Sequence, residues 1–518
     1  MTHPVPPSGA GPVPAPRAAP GFSRFTRATR WARRMTFLVH RWLGIALALL
    51  MSLWTLSGFV MMYVSYPETS TAERMAGLQP LDMSHCCAAD ILLPAGPVES
   101  VSVEMLMSRP VVRWTGPEGP QLFGIAAPTP VMGELAAIPA IGETEAVEIA
   151  ERHWLSTRGL LADALPHTDV EPVEVDQWTL QQRRYAPLYK VRFADDRGTD
   201  LYVSGLTGEV VQDTHRSERF WNWLGAVPHW LYFTPLRKDG ALWSQVVIWA
   251  SLLGTFLTLT GIYVGLRMYG RGKHRSPFRG AALWHHWTGL IFGLVTLTWV
   301  FSGFASMQPW GWLESEGPGA ELQAMAGRPL DGRDVEALVS ALAAHPPPGV
   351  VSAEAVVQNG KPFAILVRAD GTRTRAALPD LVPAPPTNAD LAALSRAARP
   401  GDPIVAQGPI TAGDAYHYDH HSTPAQFPAW RAIYGDAAST RLYLDPRTGE
   451  LLTFVDSGSR SFRWWHLALH RLDVSGLRER PLWDLVTLPL LVGVALVCLL
   501  GVWMGARRLL RLERRRRG

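Results

Sequence analysis

Cysteine and charge are both scarce in this chain of 518 residues. Only 3 residues are cysteine, which is too few for a disulfide framework, and only 18% are charged. Hydrophobic residues make up 47% of the chain, and 21 residues are tryptophan. This composition excludes a disordered chain and differs from that of an ordinary soluble enzyme.

A fingerprint for a dinucleotide cofactor is also missing. The sequence has no Gly-x-Gly-x-x-Gly motif at a predicted strand-to-helix turn. A built-in domain for NAD(P)H or flavin is therefore not expected, and electrons for any redox reaction would have to come from a separate donor.

Long apolar runs, in contrast, are abundant. Four of them reach about 20 residues, the length with which a helix crosses a bilayer. The chain begins with a stretch rich in proline and alanine, residues 1–20, and residues 1–35 are predicted to form a disordered tail. We expect membrane-spanning helices at residues 36–65, 243–267, 282–305 and 483–506.

Basic residues cluster beside these spans, before the first one, in the link 268–281 and in the tail 507–518. Four crossings place all three clusters on one side of the membrane, which is the positive-inside pattern, so both termini are predicted to be cytoplasmic. The long segments 66–242 and 306–482, called the outer segments below, then lie on the opposite side. Since the topology accounts for the basic tail, membrane lipid is the expected partner and nucleic acid is not.

The chain repeats itself. "HRWLG" at His40 returns as "HHWTG" at His285, 245 residues later, and "SGF" returns at the same offset, at Ser57 and Ser302. In the outer segments, "LTGEVV" returns as "RTGELL" after 241 residues. Each unit is a span, an outer segment and a span, so the two units have the same orientation and form a parallel tandem repeat.

The outer segments contain signals for both strands and helices. "RPVVRWTGPEG" and "KPFAILVRADG" alternate and end in Gly turns, as hairpin strands do. "TEAVEIAERHW" and "NADLAALSRAA" have helical spacing, with Thr144 and Asn388 as the expected caps. The fold class predicted is a four-helix membrane base with two α+β modules, one per repeat.

Four histidines stand at positions that the repeat matches. His40 corresponds to His285 near the cytoplasmic side, and His229 corresponds to His470 near the outer side. Placing an ionisable side chain inside a membrane span costs free energy, so a residue of this kind is taken to be functional by default. Under a two-fold axis, matched residues can approach each other, so each pair can offer two imidazoles to a flat ligand on that axis.

A haem fits this demand, because neutral imidazole is a natural iron ligand and helices can provide an apolar slot. The chain lacks Cys-x-x-Cys-His, so the two haems would be non-covalent, that is haem b. Alternatively, the histidines only anchor the helix ends at the headgroups. His286 is the rival inner ligand, and His466, on the same helical face as His470, is the rival outer one.

Three features together resemble the PepSY-associated transmembrane family: "HRWLG" opening a span, the strand end "LY…TGE", and "LHRLD" before the last span. The resemblance covers nearly all of the chain from about residue 30. "LHRLD" departs from the more usual "LHSLD", and Gly225 stands where the second repeat has His466.

The resemblance implies a protein of the bacterial inner membrane with periplasmic PepSY-like modules. Relatives include ferric-siderophore reductases with two b-type haems, so a ferric chelate or siderophore is the expected substrate. The electron donor would be a separate reductase or a quinol. The alternatives are a non-redox PepSY protein that binds or regulates a peptidase, and a metal-handling accessory protein.

A second chemical cluster lies in "AYHYDHHSTPAQFPAW". Its imidazoles can hold a metal or contact a ferric chelate, or the segment can be a solvated polar loop. The candidate ligands are His417, His420 and His421. Another short motif, His85-Cys86-Cys87, can hold a soft metal or form a vicinal disulfide or an inert pair.

Overall fold

The computed structural model of the chain describes residues 22–84, 98–116, 119–125, 141–159, 167–421 and 423–517. The motif His85-Cys86-Cys87 lies outside these residues.

Four long helices form one part of the fold as far as the structure describes it, and shorter helices lie between the strands of the outer segments. A π-helical turn, Arg463–Ala468, directly precedes α13. The α-helices in chain order are α1 Phe22–Met61, α2 Thr71–Ala76, α3 Glu143–Arg158, α4 Arg216–Leu224, α5 Ala226–Trp230, α6 Thr234–Arg237, α7 Gly240–Met268, α8 Ala281–Ser306, α9 Gly319–Ala326, α10 Gly332–Ala344, α11 Asn388–Ala398, α12 Ser457–Phe462, α13 Leu469–Arg471 and α14 Leu482–Arg517.

The strands all lie in the outer segments. In chain order they are β1 Ser100–Leu106, β2 Arg109–Gly116, β3 Gly119–Gly124, β4 His167–Val173, β5 Leu188–Phe193, β6 Asp200–Ser204, β7 Val210–Thr214, β8 Val350–Gln358, β9 Lys361–Arg368, β10 Arg373–Ala377, β11 Val382–Pro383, β12 Ile404–Ile410, β13 Ala429–Tyr434, β14 Arg441–Leu444 and β15 Leu451–Val455.

Within the described residues, four helices are long and apolar enough to cross a membrane: Thr29–Met61 of α1, α7, α8 and Leu482–Arg514 of α14. α1 packs against α7 and α14, and α8 packs against the same two helices. Together with the antiparallel sheets, these helices confirm the predicted α+β chain with a membrane-compatible helical part.

The first helix begins earlier than the sequence prediction. α1 starts at Phe22, so residues 22–35, which were expected to be part of a disordered tail, are helical. They contain no glycine or proline and are rich in arginine and alanine. Once the apolar span has formed a helix, such residues extend it at little cost, because propagation is easier than nucleation.

The sheets are antiparallel throughout the described residues. Two four-stranded sheets have the orders β4-β5-β6-β7 and β12-β13-β14-β15, and their last two strands meet at the "TGE" turns. A seven-stranded sheet has the order β11-β10-β9-β8-β1-β2-β3. Its strands β1 and β8 pair across the two outer segments, with Val103 opposite Ala353, so the two predicted modules share one sheet.

Local turn chemistry explains the hairpins of the shared sheet. The β1–β2 turn consists of Met107 and Ser108, and the β8–β9 turn consists of Asn359 and Gly360, all with positive φ. Two central residues with positive φ form a type I′ turn, whose twist matches that of the strands. The cap of helix α11 lies one residue before the expected position: Thr387, and not Asn388, caps the helix by accepting a hydrogen bond from the amide of Asp390. Likewise Gly142, and not Thr144, precedes α3.

Candidate cofactor sites

The structure brings His40 and His285 together inside the helical bundle. His40 lies on α1 and His285 lies on α8, and the centres of their rings are 6.4 Å apart with an angle of 35° between the planes. His286, the rival, faces elsewhere: its Nε2 hydrogen-bonds to the carbonyl of Gly265, and its ring contacts Phe278. The inner pair is therefore the one that the repeat matches.

His229 and His470 also meet. They lie on α5 and α13, short helices that pack on α1 and α8 respectively, and their ring centres are 5.9 Å apart. His466 is close by, because its ring stacks on that of His470 with the centres 5.1 Å apart. The Nδ1 of His466 contacts the carbonyl of Ser302 at 2.9 Å. His466 thus stays a rival ligand on geometric grounds.

Each paired imidazole of the inner site contacts a backbone carbonyl through Nδ1. For His40 the acceptor is the oxygen of Leu257, at 3.2 Å, and for His285 it is the oxygen of Val497, at 3.1 Å. Leu257 and Val497 are themselves 240 residues apart, the offset between α7 and α14. The same contact is thus made twice, once in each half of the chain.

The outer site has the same pattern. The Nδ1 of His229 contacts the carbonyl of Trp54 at 3.0 Å and the hydroxyl of Ser57 at 3.1 Å. The Nδ1 of His470 contacts the carbonyl of Trp299 at 3.2 Å and the hydroxyl of Ser302 at 3.0 Å. The acceptors belong to the "W…SGF" motif of each repeat.

These contacts fix the tautomer of each ring. A carbonyl oxygen can only accept, so Nδ1 carries a proton, and in the neutral imidazole Nε2 then keeps its lone pair. The four Nε2 atoms make no hydrogen bond with any residue that the structure describes. An imidazole with one nitrogen tied to a carbonyl and the other unprotonated is the usual arrangement of a metal ligand.

The distances also fit a shared metal ion. Because a metal–imidazole bond is about 2.0 to 2.1 Å long, two imidazoles that bind one ion from opposite sides keep their ring centres about 6 Å apart. The observed separations of 6.4 Å and 5.9 Å match this value. By donor type, protonation and spacing, the residues fit two haem irons with two histidine ligands each.

Glycines make room for the imidazoles. A Cβ on Gly261 would come within 2.8 Å of Cε1 of His40, and a Cβ on Gly501 would lie 3.7 Å from Cε1 of His285. On the histidine-bearing helices, a Cβ on Gly289 would meet nothing within 4 Å, and one on Gly44 would meet only a side-chain carbon of Leu257 at 3.6 Å. Gly44 and Gly289 each lie one helical turn after the histidine of the same helix, so both can leave space for a macrocycle beside the imidazole.

An apolar layer separates the two histidine pairs. Trp54 and Trp299, whose carbonyls hold the outer pair, each lie 14 residues after the inner histidine of the same helix. That spacing is about 21 Å along an α-helix. The layer contains Met51, Val494 and Cys498, with Leu47, Trp54, Phe292, Val295, Trp299 and Val300 packed against them.

The histidine-rich loop does not bring its three imidazoles together. Both ring nitrogens of His417 are engaged, Nδ1 with the hydroxyl of Thr453 at 2.9 Å and Nε2 with the carbonyl of Gln426 at 3.0 Å. His421 contacts the carbonyl of Arg478, and only His420 approaches a carboxylate. No group of three or more metal-binding side chains occurs in the described parts of the chain. A metal site formed by His417, His420 and His421 therefore stays a prediction.

Sequence reasoning missed the partners of this loop. Tyr418 is buried, and its hydroxyl donates to Asp473 at 2.7 Å, the aspartate of "LHRLD". Burial and this carboxylate raise the pKa of Tyr418. Arg463 donates to the same carboxylate at 3.3 Å. One indication in the sequence that Asp473 belongs near this site is its position three residues after His470.

Comparison with protein-family models finds no family that matches this chain, and comparison with curated proteins finds no matching relative.

Proposed function

We propose that the chain is a di-haem b protein that moves electrons across the bacterial inner membrane and reduces a ferric chelate, such as a ferric siderophore, at the periplasmic face. The observation that carries the proposal is the fourfold recurrence of one arrangement: a histidine whose Nδ1 contacts a carbonyl and whose Nε2 is available, opposite a second such histidine. Histidines that only anchor helix ends at the headgroups have no reason to share this pattern.

The proposal includes the parallel tandem repeat. The two four-stranded sheets share one strand order, and α5 packs on α1 as α13 packs on α8. The carbonyls that hold the inner pair recur after 240 residues. These correspondences support two units around an axis along the membrane normal, with the outer segments as PepSY-like modules.

His40 and His285 would hold the inner haem, and His229 and His470 would hold the outer one. When bound, the haems would supply a reversible one-electron change at iron. The protein's own groups keep each Nε2 unprotonated and fix the ring planes through the carbonyl contacts. The apolar layer between the pairs excludes water from the path.

Reduction would release the iron because hard oxygen ligands of a chelate bind Fe³⁺ better than Fe²⁺. One electron per iron suffices, and the chelate need not enter the membrane. In the orientation predicted by the positive-inside pattern, the inner pair faces the cytoplasm, so the electron donor would be a separate reductase or a quinol of the membrane. Lipid, donor and ferric chelate are then the partners.

The absorption spectrum of the purified protein tests this function. We expect a reduced-minus-oxidised spectrum of b-type haem, and reoxidation of the reduced protein by a ferric chelate. A protein purified from haem-replete cells that shows no haem bands would contradict the proposal. Bound metal without such bands would favour a metal-handling role instead.

A further inference from the structure

Two arginines and a histidine surround the ring of Tyr418, whose hydroxyl donates to Asp473, three residues after His470 in the chain. The guanidinium carbon of Arg478 lies 4.0 Å from the centre of the Tyr418 ring, and that of Arg463 lies 4.9 Å from it. The ring of His420 is 4.6 Å from the same ring. Loop 415–421 and the turn before α13 thus come together at this point.

Arg463 has one donor that its own surroundings do not satisfy. The residue is only 5% exposed. Its Nε donates to the carbonyl of Ala415 at 3.2 Å, and its Nη2 donates to Asp473 at 3.3 Å. Its Nη1 is buried and has no acceptor within the described residues. A buried cationic donor without a partner is costly, so an acceptor from outside the chain would complete this group.

Arg471 adds a second unpaired cation. It is exposed, directly follows His470, and makes no ion pair with any residue that the structure describes. Arg478 differs, because it has a neighbouring carboxylate, that of Glu479, at 3.6 Å. The donors that have no acceptor among the described residues are therefore Nη1 of Arg463 and the guanidinium of Arg471.

Asp473 connects His420 to the arginines: its carboxylate accepts from Arg463 and lies beside the imidazole of His420, and Arg471 stands two residues before it in the chain. Burial lowers the pKa of His420, Asp473 opposes this effect, and Arg471, Arg463 and Arg478 add to it. The imidazole is partly exposed, with 45% of its side chain accessible, and its Nδ1 is 4.0 Å from the Asp473 carboxylate. The cluster is thus open to solvent on the His420 side.

We propose that Arg463, Arg471 and His420 form an anion site that takes a carboxylate group beside the outer histidine pair. Guanidinium groups match the geometry of a carboxylate and make charge-assisted hydrogen bonds with it. The inference rests on the proposed function for the source of the anion. Two sources carry the same chemistry: the propionate of an outer haem, and a carboxylate-bearing ferric chelate that arrives from outside.

The test compares Arg463→Gln, Arg471→Gln and the unchanged protein, with Arg396→Gln as the control. Arg396 is exposed on α11, in the outer segment, and makes no ion pair with described residues. For each variant, KM is measured with ferric citrate, which is anionic, and with a neutral ferric trihydroxamate. Haem content and the midpoint potential of the outer haem are measured on the same samples.

If the chelate is the source, KM for ferric citrate rises by about tenfold or more in Arg471→Gln, since a charge-assisted hydrogen bond contributes roughly 1.5–3 kcal/mol. KM for the trihydroxamate and the haem spectra then stay unchanged. If the propionate is the source, Arg463→Gln shifts the outer potential or lowers outer haem content, and both KM values change alike or not at all.

The inference is overturned if both variants match Arg396→Gln in every quantity. A haem-free wild-type protein would refute the proposed function separately. In that case, equilibrium dialysis with citrate alone still tests the anion site: loss of citrate binding in Arg471→Gln supports the site, and binding equal to that of Arg396→Gln overturns it.

Discussion

The four paired imidazoles depend on main-chain atoms for their orientation. Each Nδ1 contacts a carbonyl on a neighbouring helix, those of Leu257, Val497, Trp54 and Trp299. A carbonyl inside a helix already accepts a hydrogen bond from the amide four residues later, so the imidazole is an additional donor to the same oxygen. A substitution of Leu257 or Val497 changes the side chain and leaves this contact in place.

Replacement of His40 or His285 by alanine is expected to remove one haem per chain and to leave the other spectrally intact. Each histidine is half of an inner pair with a separation of 6.4 Å, and a single imidazole cannot hold the iron from both sides. The haem content per chain, measured on the purified variants, checks this. His286→Ala is the control, because its Nε2 is engaged with Gly265. A haem lost from His286→Ala but kept in His285→Ala would contradict the pairing.

Substitution of His229 or His470 by alanine should abolish reduction of external ferric chelate while the inner haem still accepts electrons. These residues form the pair at the outer end of the bundle, nearest to the outer segments. Stopped-flow reduction of the inner haem and a chelate-reduction assay measure the two steps separately.

His466→Ala serves as the control for the outer pair. His466 stacks on His470, but its repeat counterpart is Gly225, which cannot bind a metal. Full chelate reduction and both haems in His229→Ala would refute the outer site. An essential His466 beside a dispensable His470 would change the ligand and leave the path in place.

The histidine pairs were predictable from the sequence, whereas their acceptors were not. Equal offsets between repeats single out His40 with His285 and His229 with His470. Every residue has a carbonyl, so no sequence pattern marks the ones of Trp54 or Leu257 as partners. These contacts follow from how the helices pack. The loop partners, Arg463 and Asp473, depend in the same way on long-range contacts.

At the scale of elements, arginines join the small sheets to the shared sheet in both halves. Arg74 donates to Glu104 of β1 and to Glu209 of the first "TGE" turn, at 2.8 Å each. Arg373 links Glu354 of β8 to the glutamate of the second "TGE" turn, at 2.7 and 2.6 Å. The repeated motif therefore has a structural role, which its sequence alone did not reveal.

Glu104 is expected to be the most sensitive member of this junction. It is 1% exposed and accepts from Arg74, from Arg113 at 2.7 Å and from Ser352 at 3.1 Å. Glu104→Gln leaves buried guanidinium groups with a poorer partner, so the free energy of unfolding should fall by roughly 3 kcal/mol. Thermal unfolding of the detergent-purified protein measures the change. Glu148→Gln, at the surface pair with Arg152, should change stability by less than about 0.5 kcal/mol.

The same carboxylate predicts a dependence on pH. Burial raises the pKa of Glu104, but the charges of Arg74 and Arg113 outweigh it and hold the pKa at about 2. This value lies below that of an unfolded glutamate, about 4.3, so the stabilisation is complete above that pH and declines as pH falls towards 2. Glu104→Gln should lack this part of the acid sensitivity. An identical acid profile in wild type and variant would contradict the assignment.

The conformation of the helical turn before His470 could not be predicted from the local sequence pattern. The sequence places His466 and His470 on one face of an α-helix, but residues 463–468 form a π-helical turn. The two rings stack nevertheless, with their centres 5.1 Å apart. Propensity does not distinguish a π turn from an α turn, because the choice depends on what the segment packs against.

In the whole molecule, both outer segments contribute strands to one seven-stranded sheet. Strands β1 and β8 pair although they are far apart in the chain, and the side chain of Ser352 donates to Glu104 across that pairing. The repeat predicts two similar halves but contains no information on how they join. Pairing of this kind depends on strand edges that become adjacent only in the folded chain.

Topology is testable with reporter fusions after Tyr63 and after Phe304. Both should report the periplasmic side, since the basic clusters before α1, between α7 and α8, and after α14 are expected to stay in the cytoplasm. A cytoplasmic signal at either position would invalidate the four-span model and the assignment of the histidine pairs to opposite faces.

The haem content of four purified proteins decides whether each histidine pair holds one haem. We expect two haem b per chain in the wild type, one in His40→Ala, one in His229→Ala and none in the double variant, with different spectra for the two single variants. Equal haem content in all four proteins, or no haem in the wild type, would contradict it.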